Sequence, residues 1–154
     1  MATATYTATT FNAPAKQVHA GMVNVSGTYN AGSVVTSIGD IIFLAKLPHG
    51  ATIVDLVIDT STGETACTTD VGLAKGFDIN GGVSMSCFVS GLAMATVSRL
   101  AVRRPAGLGP YRISVSDSDP VRYGILACKP AATSASTSYM VNFSITYRCD
   151  DNQI

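Results

Sequence analysis

Apolar and polar residues alternate along residues 139–149. Six apolar residues share one parity: Tyr139, Val141, Phe143, Ile145, Tyr147 and Cys149. The residues between them are mainly polar. Because successive side chains of a β-strand point to opposite faces of a sheet, this pattern predicts a strand with one buried face.

Two apolar runs lie on either side of the Pro48-His49-Gly50 turn. The first, residues 41–47, is apolar at both parities, which predicts a strand covered on both faces by another element or another subunit. The second, residues 52–58, has Val54, Leu56 and Ile58 at one parity and Asp55 at the other. The two runs and their turn predict neighbouring antiparallel strands of a β-sandwich.

Shorter segments of alternating or β-branched residues predict further strands at 18–29, 69–74, 96–103, 111–115 and 121–128. Residues 84–90 fit both helical and strand spacing, and we favour a short helix there that ends at Gly91. Turn residues separate these segments, and we find no internal repeat. The expected fold is all-β, a jelly-roll-like antiparallel β-sandwich of about eight strands with one short helix.

The 154 residues are enough for one domain with its own core. We divide the chain into an extended N-terminal arm, residues 1–17, and a single β-sandwich domain, residues 18–154. The first segment is rich in threonine and alanine and contains no acidic residue, and the sequence leaves open whether it is a frayed tail or an arm on a partner. It lacks the basic start and apolar core of a signal peptide, and residues 41–45, the longest apolar run, are too few to cross a membrane.

Composition supports the β assignment. Only 13% of the residues are charged and tryptophan is absent, while Glu64 is the single glutamate. The formal net charge of zero provides no electrostatic argument for a nucleic acid or a membrane as partner. Acidic residues concentrate between Asp40 and Asp78, and arginines between Arg99 and Arg122. These segments either neutralise each other in the sandwich or form a polar contact surface for neighbouring subunits.

The candidate chemical groups do not form a recognisable active site. His19 and His49 are the only histidines, and His49 lies in a turn where any polar residue would serve. No serine lies in a Gly-x-Ser-x-Gly setting. Asp117 and Asp119 could bind a cation, although Asp-Ser-Asp-Pro is commonly an ordinary turn. The low glutamate and tryptophan content argues against a glycosidase or a carbohydrate-binding platform. We therefore predict no catalytic, cofactor-binding or metal-ligating residue.

The four cysteines are widely spaced along the chain: Cys67, Cys87, Cys128 and Cys149. No Cys-x-x-Cys pair or neighbouring histidine pair accompanies them, so a zinc site is not indicated. A chain made in a reducing cytosol does not favour disulfides either. We predict buried free thiols that behave as small apolar side chains.

One sequence order resembles a known family. Gly39-Asp40 precedes the first apolar run, which continues through Leu47-Pro48-His49-Gly50-Ala51 into the second. This order resembles small capsid decoration (cement) proteins of tailed bacteriophages, and residues 69–73 and 139–147 fit the same family. The resemblance covers residues 32–75 well and residues 111–149 loosely.

The resemblance implies a jelly-roll subunit that binds the outer surface of an icosahedral phage head and clamps neighbouring copies of the major capsid protein. It also implies a dimer or trimer, synthesis in the bacterial host cytoplasm and a final place in the virion. On this interpretation, residues 1–17 become ordered only through contact with other subunits. Two alternatives stay open: a tail, fibre or head–tail junction subunit with the same sandwich, and a lectin-like ligand-binding module.

Overall fold

The computed structural model describes residues 3–14, 21–32, 35–60, 67–77, 82–95, 97–100, 111–115, 118, 123–131 and 139–149. Nine strands lie in this part of the chain: β1 (Thr5–Thr7), β2 (Met22–Asn30), β3 (Ile41–Pro48), β4 (Thr52–Asp59), β5 (Thr68–Lys75), β6 (Ser84–Ala93), β7 (Val97–Leu100), β8 (Tyr123–Pro130) and β9 (Met140–Arg148). They form a five-stranded sheet of order β1-β3-β8-β5-β6 and a four-stranded sheet of order β2-β9-β4-β7. The all-β sandwich predicted from the sequence is confirmed.

The antiparallel pairs are nested within one another. Strand β2 pairs with β9, β3 with β8, β4 with β7 and β5 with β6. These eight strands therefore follow the path of one long hairpin that is rolled up, so that successive pairs along it fall in alternate sheets. This is the arrangement of a jelly roll.

The core lies between the two sheets. Strand β9 pairs with β2 on one side and β4 on the other, so it is central in its sheet. Its predicted apolar face is confirmed, because Val141, Ile145 and Tyr147 have no exposed surface. Ile42, Leu44 and Leu126 of the opposite sheet are equally buried. Removing these large apolar side chains from water is the main contribution to the stability of the sandwich.

The prediction that residues 41–47 and 52–58 are neighbouring strands is wrong. Strands β3 and β4 lie in different sheets, and the turn between them carries the chain across the sandwich. Backbone groups at this corner bond to a third segment: Gly50 N donates to Ile113 O, and Ile113 N donates to Ala51 O, both at 2.8 Å. Strand β3 pairs with β1 and β8, and β4 pairs with β7 and β9, so the backbone groups of both strands have partners without a bond between β3 and β4.

The prediction of a helix at residues 84–90 is also wrong. These residues belong to β6, which pairs with β5 through Val71–Val89 and Leu73–Ser84. Between these two pairs β5 advances by two residues and β6 by five, so β6 contains a large bulge. A bulge interrupts the two-residue alternation of a strand, and this explains why the apolar residues here also fitted helical spacing.

The remaining predicted strands correspond to β2, β5, β7 and β8. Parts of these predictions, at residues 18–20, 96, 101–103 and 121–122, lie outside the described residues. Residues 111–115 differ from the prediction. Tyr111, Ile113 and Val115 are buried as their alternation indicates, but the only strand-like feature of this described segment is the bridge between Arg112 and Thr52.

Residues 3–14, here named the N-terminal segment, extend the five-stranded sheet beyond β3 and then cross to β2. Strand β1 pairs in parallel with β3, with Thr5 opposite Ile41 and Thr7 opposite Phe43. This pairing covers the edge of β3, not its second face. On that face the Phe11 ring packs against Phe43, while Ile41, Phe43 and Lys46 are only half-buried, so full cover of the second face stays a prediction. The division at residue 17 and the ordering of the arm by other subunits stay predictions.

Candidate interaction surface

Asp40 fastens the N-terminal segment to the sandwich. The residue is 5% exposed, and its Oδ1 accepts a hydrogen bond from Ala4 N at 2.9 Å. Oδ2 accepts a second bond from Ser37 N at 2.8 Å. Gly39, at a φ of +88°, provides the left-handed backbone that leads into this position. Asp40 therefore joins the N-terminal segment to the loop before β3.

The N-terminal segment then crosses from one sheet to the other. Ile41 N donates to Ala4 O at 3.0 Å, and Ala8 N donates to Phe43 O at 2.8 Å, so the first part follows β3. Thr9 N then donates to Thr28 O on β2 at 3.2 Å. The segment therefore closes part of the open side between β3 and β2.

Gly27 makes room for this crossing. A Cβ atom at Gly27 would overlap with the hydroxyl of Thr10 and lie 2.7 Å from its Cγ2. The Thr10 hydroxyl also donates to Leu44 O at 3.3 Å. Thr10 thus lies between the two sheets, and the glycine that interrupts the alternation of β2 is explained by this close approach.

Aromatic rings and lysines cluster on the outer face of the five-stranded sheet. The rings of Phe11 and Phe43 have centroids 5.1 Å apart. Lys46 Nζ lies 5.0 Å from the Phe11 centroid and 5.2 Å from the Tyr123 centroid, and Lys75 Nζ lies 5.1 Å from the same tyrosine ring. These distances permit cation–π attraction. In the described part of the chain, Lys46 has no carboxylate within ion-pair distance.

A cleft of about 230 Å³ opens beside Lys46. One wall is formed by Thr10 and Pro14 of the N-terminal segment, and the others are β2 and β3. Its lining includes Asn24, Ser26 and Lys46. The cleft combines apolar and polar groups with one cation, and it lies along the open side of the sandwich.

The second motif of the sequence, residues 69–73, also has a structural role. Asp70 Oδ1 accepts hydrogen bonds from Ser90 Oγ at 3.1 Å and from Gly91 N at 2.8 Å. Asp70 Oδ2 lies 3.8 Å from Lys129 Nζ. Asp70 therefore holds β6 against β5 where Gly91 turns the backbone at a φ of +73°. The sequence had indicated structural residues here, but not these partners.

The predicted candidate groups show no assembled active site in the residues that the structure describes. His49 Nδ1 accepts a hydrogen bond from Val115 N at 3.0 Å, so this imidazole stabilises the corner between the sheets. His19, Asp117 and Asp119 lie outside the described residues. Within the described ranges, no group of three or more histidine, cysteine or acidic residues could hold a metal ion.

All four cysteines are free thiols, as the sequence predicted. Cys67, Cys128 and Cys149 are buried, whereas Cys87 is half-buried. Burial raises the pKa of the Cys128 thiol to about 12, because a thiolate would lose its hydration there. Cys128 is therefore an uncharged core residue.

A buried polar contact was not predicted from the sequence. The hydroxyls of Thr69 and Tyr139 lie 2.9 Å apart between the sheets. Burial raises the pKa of Tyr139, with the nearby Cys128 adding to the shift and the Thr69 hydroxyl opposing it. A hydroxyl removed from water requires such a partner. The only sequence signal was a threonine at an inward position of β5.

The acidic and basic segments meet at one described contact. Arg99 Nε of β7 lies 3.2 Å from Asp55 Oδ1 of β4, on an exposed part of the four-stranded sheet. This pair supports the interpretation that the segments partly neutralise each other. Arg103, Arg104 and Arg122 lie outside the described residues.

Among the described residues there is no helix of sufficient length and hydropathy to span a membrane.

Comparison with known proteins identifies the fold. No protein-family model and no curated protein sequence matches the chain. A chain from the capsid of Ralstonia phage GP4 is similar in structure, with a TM-score of 0.63 and 14% identity over 95% of this chain and 98% of that one. A chain from the capsid asymmetric unit of cyanophage Pam1 has a TM-score of 0.58 and 16% identity over 90% of this chain and 92% of that one. The protein shares the fold of these two phage capsid chains over nearly its whole length.

Proposed function

We propose that this protein is a structural component of a bacteriophage virion, and specifically a capsid decoration protein. It binds the outer surface of an icosahedral head and stabilises contacts between copies of the major capsid protein. The observation that carries this proposal is the structural likeness to a phage capsid chain, which extends over 95% of this chain and 98% of that one. The motifs in residues 39–51 and 69–73 support the decoration role through their resemblance to cement proteins.

The physical basis of this function is surface burial at equivalent sites. A compact sandwich adds buried area across the boundary between capsid subunits, and many copies multiply a modest energy per site. Val35 and Ile38, each 55% exposed, lie in the loop that Asp40 holds beside the N-terminal segment. We propose that this end of the sandwich and the arm, residues 1–17, contribute to contacts with the major capsid protein and with copies of the same chain in a dimer or trimer.

In this proposal the protein acts by binding alone. It is not an enzyme and requires no cofactor, and it binds neither nucleic acid nor membrane. It is synthesised in the cytoplasm of the bacterial host and becomes part of the virion.

The decisive experiment adds purified protein to undecorated capsids and locates it by cryo-electron microscopy. We expect saturable binding and density on the outer surface of the head. Density on the tail or at the head–tail junction would replace the decoration role by the corresponding virion role. Density that forms the shell lattice itself would identify a shell subunit, and absence from the particle would overturn the virion proposal.

Limited proteolysis tests the contribution of the arm. We expect cleavage within residues 1–17 to be slower on particles than in free protein, because bound subunits would cover the arm. Equal cleavage rates in both preparations would contradict that part of the proposal.

A further inference from the structure

The backbone of β2 has one side that faces away from its sheet. Ala31 N donates to Tyr139 O, and the pairs Tyr29–Val141 and Val25–Ile145 have the same parity along these strands. The N–H and C=O groups of these odd-numbered β2 residues therefore point toward β9. Those of the even-numbered residues point the opposite way, and the bond from Thr9 N to Thr28 O agrees with this direction.

The N-terminal segment, residues 3–14, forms a backbone hydrogen bond with this edge at one position, Thr28. Thr28 is paired with Thr9, whereas Asn24 and Ser26 have no backbone partner on the outward side among the residues that the structure describes. Their outward peptide groups are about 7 Å apart, the two-residue repeat of an extended strand. Backbone groups in this geometry provide a template for another extended chain.

The cleft beside this edge contains a positively charged side chain, which favours a negatively charged partner group. Asn24 and Ser26 line it from β2, and Lys46 lines it from β3. The Lys46 ammonium group lies between two aromatic rings and has no carboxylate partner in the described ranges. A carboxylate that enters the cleft would form a charge-assisted hydrogen bond with this ammonium group.

We propose that the β2 edge at Asn24–Ser26 binds an extended segment of a partner protein that carries an acidic side chain, which reaches Lys46. The segment adds a strand to the four-stranded sheet, and its carboxylate fixes its register. This inference deepens the proposed function and rests on it for the partner, an acidic segment of the capsid surface. The strand repeat of the outward groups favours a polypeptide, because its N–H and C=O groups match both donors and acceptors.

The test uses the full chain labelled with ¹⁵N and a capped hexapeptide of alternating valine and threonine with one central aspartate. We expect amide shifts centred on Asn24 and Ser26. We expect Lys46→Gln to weaken binding about tenfold, the loss of one charge-assisted bond. Lys46→Arg should bind as the wild type does. The matched control is Lys75→Gln, because Lys75 contacts the same Tyr123 ring but does not line the cleft.

Two altered peptides keep the protein unchanged and so avoid any effect on folding. Asparagine in place of the aspartate should weaken binding about as much as Lys46→Gln does. Methylation of alternate backbone nitrogens should abolish the shifts at β2, because it removes the strand hydrogen bonds. Equal binding of all three peptides, or the absence of shifts at Asn24 and Ser26, would overturn the inference.

The same variants separate this inference from the proposed function. If Lys46→Gln binds undecorated capsids as the wild type does and the peptide causes no shift, the inference fails while the decoration role stands. If the peptide binds at β2 and capsids bind no protein, the decoration role fails while the acidic-strand site stands.

Discussion

Asp40 and Ala4 are 36 residues apart and are joined by a hydrogen bond of 2.9 Å from the Ala4 backbone N–H to Asp40 Oδ1. The same carboxylate accepts a bond from Ser37 N. A single buried acidic residue thus ties the N-terminal segment and the loop before β3 together. The Gly39-Asp40 pair therefore has a physical role, which is to fix the path of the chain at one end of the sandwich.

Asp40→Asn is expected to loosen the N-terminal segment. An asparagine can present only one acceptor oxygen to two N–H donors, so one charge-assisted bond is lost, which costs about 1.5–3 kcal/mol. The free energy of unfolding in urea should fall by this amount, and cleavage within residues 3–14 should become faster. Asp55→Asn is the matched control, because its pair with Arg99 is exposed and contributes less than about 1 kcal/mol. Equal effects of the two substitutions would contradict the anchoring role.

Gly72→Ala is expected to distort the contact between β5 and β6. A Cβ atom at this position would overlap with Ser84 O and lie 2.5 Å from the Met85 carbonyl carbon, and both are backbone atoms that cannot rotate away. Overpacking of this kind costs about 1–3 kcal/mol, measured as a lower midpoint of urea unfolding.

Gly91→Ala is the comparison for Gly72→Ala. It adds a Cβ atom with no neighbour within 4 Å, but at a φ of +73°. Its cost is then the backbone strain alone, about 1 kcal/mol. A Gly91 variant less stable than the Gly72 variant would show that the bulge of β6 adapts to the added methyl group.

Alkaline pH is expected to unfold the protein through its buried tyrosines. Burial raises the pKa of Tyr147 to about 12, and burial also raises the pKa values of Tyr29 and Tyr139 above the ordinary 10.0. The folded state therefore retains protons that the unfolded state releases, so stability is full below pH 10 and falls as the pH rises toward 12. The ionisation of these buried tyrosines, followed by tyrosinate absorbance near 295 nm, should coincide with the loss of β structure, followed by far-ultraviolet circular dichroism. Ionisation of all six tyrosines before any loss of β structure would contradict this expectation.

Thiol labelling is expected to distinguish Cys87 from the other cysteines. Cys87 is half-buried, whereas Cys67, Cys128 and Cys149 are buried in the native chain. One thiol per chain should react quickly with Ellman's reagent, and Cys87→Ser should remove that phase. The other three should react only as the protein unfolds, because thiolate formation at buried sites is disfavoured. Fast reaction of two or more thiols in folded protein would show that the sandwich opens more readily than its packing indicates.

The elements predicted well from sequence are those whose pattern depends only on burial. Strand β9 alternates without interruption because it is central in its sheet, pairs with β2 without a register shift, and has one buried face and one partly exposed face. Strand β6 was predicted as a helix, because its bulge opposite Gly72 changes the spacing of its apolar residues. The alternation of apolar residues indicates which face of a strand is buried. A bulge interrupts this alternation, although the segment is still a strand.

The candidate site was less accessible to sequence reasoning. Nothing near Lys46 in the sequence indicates that Phe11 and Tyr123 lie on either side of it, because the N-terminal segment and β8 reach it from distant parts of the chain. The cleft likewise joins three segments that local patterns do not connect. Gly27 was visible as an interruption of β2, but its reason, the approach of Thr10, appears only in the folded chain.

By itself, the sequence determined an all-β sandwich, the buried face of β9, the apolar character of β3 on both sides and the burial of three of the four thiols. Only the tertiary structure decided that β3 and β4 belong to different sheets, that the strands are nested as in a rolled hairpin, and that the N-terminal segment pairs with the edge of β3. The physical reason is that side-chain period depends on local burial, whereas strand pairing is selected by contacts between residues far apart in the chain. Several pairings satisfy the same alternation, and the choice among them depends on which one satisfies the most backbone hydrogen bonds while closing a common core.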